Sequence, residues 1–347
     1  MEEQRIVKVA LDAMGGDHAP GQIVEGALRA VNTQERLHVI FVGRKDDVEN
    51  ALAGKSYPGD RVSVVEATEV IEMAEHPVAA IRKKKDSSMV VGMKLVRNGE
   101  ADAFVSAGNS GAVLVGAQTI VGRIRGIERP PFASIIPTSK GTSLLLDCGA
   151  NVDARSSHLV QFARIGSIYM KHVMGVEDPT VGIVNIGAEE EKGNALVRET
   201  FPLLRECPDI HFVGSVEARD IPVGGVDVIV CEGFAGNIVL KMYEGTASML
   251  LGTIKGVLKS SLKTKIGALL IKGALKETLS TYDASKYGGA PMLGCQNLVV
   301  KMHGSSKAEE VCNTMFQCLR FVDADLTRII EENIPELDKE KEKENGI

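Results

Sequence analysis

Short apolar, β-branched runs alternate with amphipathic stretches from the start of the chain to about residue 245. The runs Ile6–Leu11, His38–Val42, Val62–Val65, Ala103–Ser106, Leu144–Asp147, Val181–Ile186, His211–Val213 and Val226–Cys231 predict strands. Several are continuously apolar rather than alternating, which suits strands covered on both faces. Between them, apolar residues recur at helical spacing over Gln22–Val31, His158–Met174 and Asn194–Glu206. Strand–helix alternation of this kind predicts an α/β chain built on a mostly parallel sheet with right-handed crossovers. No internal repeat of fixed period is present.

Two regions break the rhythm. Thr246–Lys286 carries helical periodicity with no strand in it and predicts a helical hairpin, interrupted near Ser260-Ser261. Its lysines 255, 259, 263, 265, 272, 276 and 286 outnumber Glu277 and Asp283, so a stretch of net +5 sits inside a chain of net −6. Such a face suits an acidic partner or an anionic membrane surface, with an ordinary solvated helix as the alternative. The other region, Asp338–Ile347, is a charged run that predicts a solvated terminus. Residues 1–330 are read as one catalytic unit that contains the hairpin.

Composition narrows the class. The chain has 347 residues, 44% of them hydrophobic and 25% charged, ample for one large α/β unit. Aromatic content is 4% with no Trp, so the core must be built from Val, Ile, Leu, Ala and Met. The acidic balance argues against a general nucleic-acid binder. The start of the chain lacks a basic segment followed by an apolar one, and no run approaches ~18 apolar residues, so a cytoplasmic protein is expected. The six cysteines show no C-x-x-C spacing and predict buried reduced thiols.

The informative residues stand where strands end: Asp12–Pro20, Ala107–Gly111, Cys148–Asp153, Gly187–Asn194 and Glu232–Asn237. Each segment brings glycine and small polar side chains to the carboxyl end of a parallel strand, the edge where open α/β sheets bind ligands. Helix amino termini there offer unpaired N–H groups that suit an anion. The nucleotide loop G-x-x-x-x-G-K-[ST] is missing, as are G-x-G-x-x-G after the first strand and H-E-x-x-H. A small phosphate held by amides, Asn and a Lys remains, with neither metal nor cofactor expected.

Six segments then make the chain recognisable: Ala10–Pro20, Ser106–Val113, Leu145–Asp153, Gly182–Asn194, Asp227–Gly245 and Tyr287–Ser305. Together they closely resemble the PlsX family, the phosphate acyltransferases of phospholipid synthesis, in that family's order from about Ile6 to Asp325. Departures are Ser110 for Thr, Cys148 for Val, Glu232 for Asp, Ala218 for Gly, and the polar pair Gln296-Asn297. The resemblance implies a three-layer α/β/α fold akin to isocitrate and isopropylmalate dehydrogenases and to phosphotransacetylases. It also implies a homodimer, and transfer of an acyl group from acyl carrier protein to inorganic phosphate.

By the same resemblance the catalytic lysine falls on Lys192 and the catalytic asparagine on Asn237. Lys192 would hold phosphate, with a surface lysine as the alternative; Asn237 would donate to the oxyanion, with a helix N-cap as the alternative. Gly15, Gly16, Ser106, Asn109, Ser110, Asn151 and Gly236 are expected around the phosphate. Asp12 and Asp17 would repel it and are expected to shape loops. His18 and His303 are candidates for acid–base or structural roles. Lys255, Lys259, Lys263, Lys265 and Lys272 are expected to dock the acidic carrier protein, and the same helices would give peripheral membrane contact. A phosphotransacetylase acting on a coenzyme A thioester, a dehydrogenase of the isopropylmalate type and a non-enzymatic anion-binding scaffold remain the competing readings.

Overall fold

The computed structural model describes residues 5–282 and 284–334. The charged run Asp338–Ile347, residues Met1–Gln4 and Asp283 lie outside the described residues. The first part of the chain runs β1 (Val7–Asp12), α1 (Gly21–Thr33), β2 (Leu37–Gly43), α2 (Lys45–Leu52), β3 (Val62–Glu66), α3 (Pro77–Lys83), α4 (Ser88–Arg97) and β4 (Ala103–Ser106). The middle follows with α5 (Ser110–Gly116), β5 (Ala133–Thr138), β6 (Gly141–Leu146), α6 (Ser156–His172), β7 (Thr180–Asn185), α7 (Ala195–Arg205), β8 (His211–Glu217) and β9 (Val228–Val230). The last part is α8 (Gly233–Lys259), α9 (Leu262–Thr281), β10 (Ala290–Pro291), β11 (Leu298–Lys301) and α10 (Ala308–Asp323).

The α/β expectation holds, and the strands divide into two sheets. One has six strands in the order β10-β11-β4-β1-β2-β3, the other five in the order β5-β6-β9-β7-β8. Only β10–β11 and β5–β6 pair antiparallel. The continuous apolar runs are buried, as with Val9, Ala10 and Leu11 of β1 and Val228 and Val230 of β9. One buried cluster contains residues of both sheets, including Ala10, Val42, Leu145 and Ile229. The chain returns to the first sheet through β11, whose Lys301 lies opposite Ser106 of β4.

Several boundaries differ from the sequence pattern for local reasons. β8 runs on to Glu217 past Gly214, which takes φ +99° where the register with β7 shifts between Val181 and Gly182. That irregularity breaks the alternation after Val213. β5 is interrupted in sequence by Pro137, and β10 and β11 are too short to show a period.

The predicted hairpin is present as α8 and α9, and it turns at Ser260-Ser261. The Ser261 hydroxyl accepts from the Thr264 amide at 3.1 Å, and the Thr264 hydroxyl accepts from the Ser261 amide at 3.0 Å. This reciprocal cap starts α9 afresh. α8 begins at Gly233, well before Thr246, so one helix runs from a strand-end loop out to the hairpin tip. Only Gly233 and Gly236 of α8 are buried, so the hairpin projects from the body.

Candidate active site

Strands β6, β9 and β7 are parallel neighbours, so the loops after them share one edge. Asp147 ends β6 and is fully buried. Its carboxylate accepts the backbone N–H groups of Phe132 (2.9 Å), Ala150 (3.1 Å) and Asn151 (2.6 Å), and the Asn151 side chain at 2.9 Å. Burial pushes its pKa up, against the pull of those four bonds. Asn151 donates its second amide hydrogen to the Pro130 carbonyl at 3.1 Å. Both of its N–H groups therefore hold the loop, and neither is left for phosphate.

The first turn of α8 closes over this loop. The Gly233 amide donates to the Asn151 carbonyl at 2.8 Å, and Glu232 caps the helix by accepting from the Ala235 amide at 2.7 Å. Gly236 then meets the backbone of Asp147, where no side chain would fit. It serves as a spacer between helix and loop. With Glu232 as the cap, Asn237 lies inside the helix, and the N-cap alternative for it falls away. Asn237 rests against Gly149: a β-carbon built on residue 149 would stand 3.5 Å from its Cβ and Cγ. Among the described residues nothing hydrogen-bonds its carboxamide, so two donors remain unused at the mouth of the loop.

On the neighbouring loop, after β7, Lys192 folds back over Gly187. A β-carbon at residue 187 would stand 3.0 Å from the ammonium nitrogen. Lys192 pairs with Glu189 at 2.7 Å and remains about half exposed, with 49% of its side chain accessible. The hydrogen bond to Glu189 raises the lysine pKa, and the same bond lowers that of Glu189. The group is thus a charged ammonium in an open position. Asn194 starts α7 by accepting from the Val197 amide at 2.9 Å.

The edge of the six-stranded sheet is tied up internally. The buried Ser106 hydroxyl donates to Asp12 at 2.7 Å and accepts from the Gly108 amide at 3.0 Å. Asp12 also accepts from the Met14 amide at 3.1 Å, and burial raises its pKa. Asn109 caps α5 through its oxygen (Ala112 amide, 3.0 Å), while its nitrogen donates to the carbonyls of Met73 and Glu75, each at 3.0 Å. The side chains of Ser106 and Asn109 thus bond within these loops. Gly15 and Gly16 form the close turn against Gly108, Ala107 and Gly304, and the Asp17 amide donates to the Gly304 carbonyl at 2.8 Å. Ser110 is exposed at the start of α5, and His18 is exposed in the loop before α1. The exposed His303 accepts from the Ser305 amide at 3.2 Å through Nδ1.

One residue of this edge went unmarked by its sequence neighbourhood. Lys301 ends β11 with its side chain buried, and its ammonium donates to the carbonyls of Met302 and, at 3.3 Å, Ala107. Burial lowers its pKa to about 8, with Glu310 and Asp12 opposing that shift. Lys241, one helical turn beyond Asn237 on α8, adds to the lowering by repulsion. The only trace in sequence is a lysine closing the apolar run Leu298–Val300 just before His303. Cys148 and Cys231 are buried thiols as expected, and burial pushes both well above the usual thiol range.

A family model described as "Fatty acid synthesis protein" matches residues 7–328. A phosphate acyltransferase of Clostridium botulinum (strain Alaska E43 / Type E3) is 46% identical over 342 residues, covering 98% of this chain and all of that protein. The chain belongs to the phosphate acyltransferase family. A second phosphate acyltransferase, from Alkaliphilus oremlandii, is 46% identical over 331 residues, covering 95% of this chain and 98% of its own. Solved structures show that the phosphate acyltransferase chain shares its fold with phosphotransacetylases. The enzyme from Streptococcus pyogenes aligns with TM-score 0.60 at 17% identity, over 92% of this chain and 94% of that one. The EutD phosphotransacetylase from Staphylococcus aureus aligns with TM-score 0.58 at 18% identity over the same shares. Among the described residues no group of three or more His, Cys, Asp or Glu side chains is placed to hold a metal ion, and no helix is long and apolar enough to cross a membrane.

Proposed function

We propose that this phosphate acyltransferase moves a fatty acyl group from the thioester of acyl carrier protein to inorganic phosphate, feeding phospholipid synthesis. The observation that carries the reading is the unspent carboxamide of Asn237 over the Gly149 turn, one loop away from the charged Lys192. A phosphate oxygen attacks the thioester carbonyl, the carbon–sulfur bond breaks, and the thiolate leaves and takes up a proton. Lys192 neutralises the incoming phosphate, which requires it to exchange Glu189 for the substrate. Asn237 donates to the oxygen on which negative charge develops, where a fixed donor has most effect. Phosphate is already nucleophilic at neutral pH, so the two groups position and stabilise rather than activate.

The hairpin supports the choice of carrier. Lys255, Lys259, Lys263, Lys265 and Lys272 are all exposed on helices that project from the body, a surface suited to an acidic protein. Leu262, Leu269 and Leu270 are also exposed there, at 75%, 71% and 81%. Apolar side chains uncovered to this extent favour a homodimer, with peripheral membrane contact at the tip, in an otherwise cytoplasmic enzyme. The test supplies long-chain acyl carrier protein and phosphate, and traps acyl phosphate as hydroxamate. Turnover with acyl-coenzyme A in preference to the carrier thioester would transfer the assignment to a phosphotransacetylase, and no hydroxamate from either would leave the scaffold reading.

A further inference from the structure

A cavity of about 560 Å³ is lined in part by Asp153 and Arg155, which follow the Gly149 turn that supports Asn237. Into it come Arg123 and Arg129, from the segment between α5 and β5, and Arg155, which starts α6. The guanidinium groups of Arg129 and Arg155 make no hydrogen bond or ion pair among the described residues. Arg123 spends one N–H on the Glu128 carbonyl. Two carboxylates share the cavity, Glu128 and Asp153. Glu128 is drawn toward α6, where His158 Nε2 donates to it at 3.0 Å while His158 Nδ1 accepts from the Arg155 amide at 3.1 Å.

The backbone near these arginines is hydrogen-bonded to buried side chains. Buried Gln161 accepts from the Glu128 amide at 3.0 Å and donates to the Gly126 carbonyl at 2.8 Å, tying the short stretch between Arg123 and Arg129 to α6. Buried Asn151 ties Pro130, next to Arg129, to the loop after β6, and its own carbonyl receives the amide of Gly233 at the start of α8. One loop thus touches the cavity with Asp153 and Arg155 and touches Asn237 with Gly149. The six steps from residue 149 to residue 155 span at most about 22 Å. Arg123, Arg129 and Arg155 are exposed to solvent, and the unpartnered guanidinium forks of Arg129 and Arg155 suit a phosphate group, which they can grip through paired N–H donors.

We propose that this arginine cavity binds a phosphate group of one of the two substrates. The inference rests on the acyl transfer proposed above and names a part of that substrate site. Two sources share the chemistry: inorganic phosphate, and the phosphodiester that links a carrier protein to its acyl-bearing pantetheine arm.

The test is a binding measurement that needs no turnover. Wild type and the double variant Arg129→Gln/Arg155→Gln are titrated by calorimetry with inorganic phosphate and, separately, with 4′-phosphopantetheine, with unphosphorylated pantetheine as the blank. The exposed Arg125→Gln, outside the cavity lining, controls for lost surface charge, and circular dichroism checks the fold. The double variant is expected to weaken one phosphorylated ligand by about tenfold or more, as the loss of charged hydrogen bonds implies. Weakened inorganic phosphate makes the cavity a holding site for that substrate, apart from the Lys192 position; weakened phosphopantetheine alone assigns it to the carrier's arm. A wild type that binds neither ligand, or a double variant that binds both as wild type does, overturns the proposal. Failure of acyl transfer in the hydroxamate assay, with phosphate binding still lost in the double variant, would overturn the reaction and leave the site standing.

Discussion

Gly236 lies directly over the backbone of Asp147: a β-carbon at residue 236 would stand 1.8 Å from the Asp147 carbonyl oxygen. This contact sets how closely the first turn of α8 approaches the loop after β6. It thereby places Asn237 on Gly149, and it leads to the first prediction.

Gly236→Ala must push α8 away from a backbone atom that cannot yield. A stability loss of about 1–3 kcal/mol is expected, as for overpacking in a close-packed interior, together with a severe fall in turnover. Gly252→Ala, in the same helix with nothing within 4 Å of the new methyl, should instead gain roughly 0.5–1 kcal/mol with activity kept. Urea denaturation and turnover of the two variants read this directly. Equal behaviour would show that the contact does not govern the site.

Lys192→Ala and Asn237→Ala should each lower turnover by ~10²–10³ with phosphate saturating, the loss typical of removing one preorganised donor. Neither side chain holds the fold together: Lys192 has only its exposed pair with Glu189, and Asn237 has no hydrogen-bond partner among the described residues. Unchanged melting temperatures are therefore expected. Near-wild-type kcat in both variants would remove the two residues from the mechanism.

Lys301 should leave a signature in the pH dependence of stability. Its folded pKa of about 8 lies below its ordinary 10.5 because the charge is buried. Below pH 8 the group is charged in both states, and the folded state bears the whole penalty. Between pH 8 and 10.5 the folded state has released the proton and the unfolded state still binds it, so stability rises with pH. Relative to Lys301→Met, wild type should gain about 3 kcal/mol across that window, order of magnitude only. Chemical denaturation at pH 7, 9 and 10.5 measures the gap between the two proteins, and a gap that stays constant would mean that the amine titrates as if in water.

Reversing Lys259, Lys263 and Lys265 to Glu should lower kcat/KM for acyl carrier protein, most at low salt. Attraction between exposed charges chiefly speeds encounter and fades as the Debye length shortens from ~10 Å at 0.1 M. An acyl-pantetheine thioester has no acidic protein surface, so its turnover should barely change. Equal losses with both substrates would mean that the hairpin shapes the active site.

Much of the fold was legible in periodicity. Buried parallel strands demand continuous apolar runs, and Val7–Asp12, Leu37–Gly43 and Val228–Val230 all stand within a few residues of the runs that predict them. The break at Ser260-Ser261 was equally plain, because a serine followed by a threonine three residues on caps a new helix. The sequence by itself also determined the family, through segments whose order and spacing survive end to end.

What only the tertiary structure decided is which partner each polar group meets. Asn109, Asn151 and Asn237 are the same residue type in similar strand-end segments. Long-range crossovers bring the carbonyls of Met73 and Glu75 to Asn109 and that of Pro130 to Asn151, and bring none to Asn237. The division into two sheets, the burial of Lys301 and the meeting of Arg123, Arg129 and Arg155 in one cavity have the same origin. Local sequence sets which face of an element is apolar, whereas the parallel register and the path between strands set what that face and its edges touch.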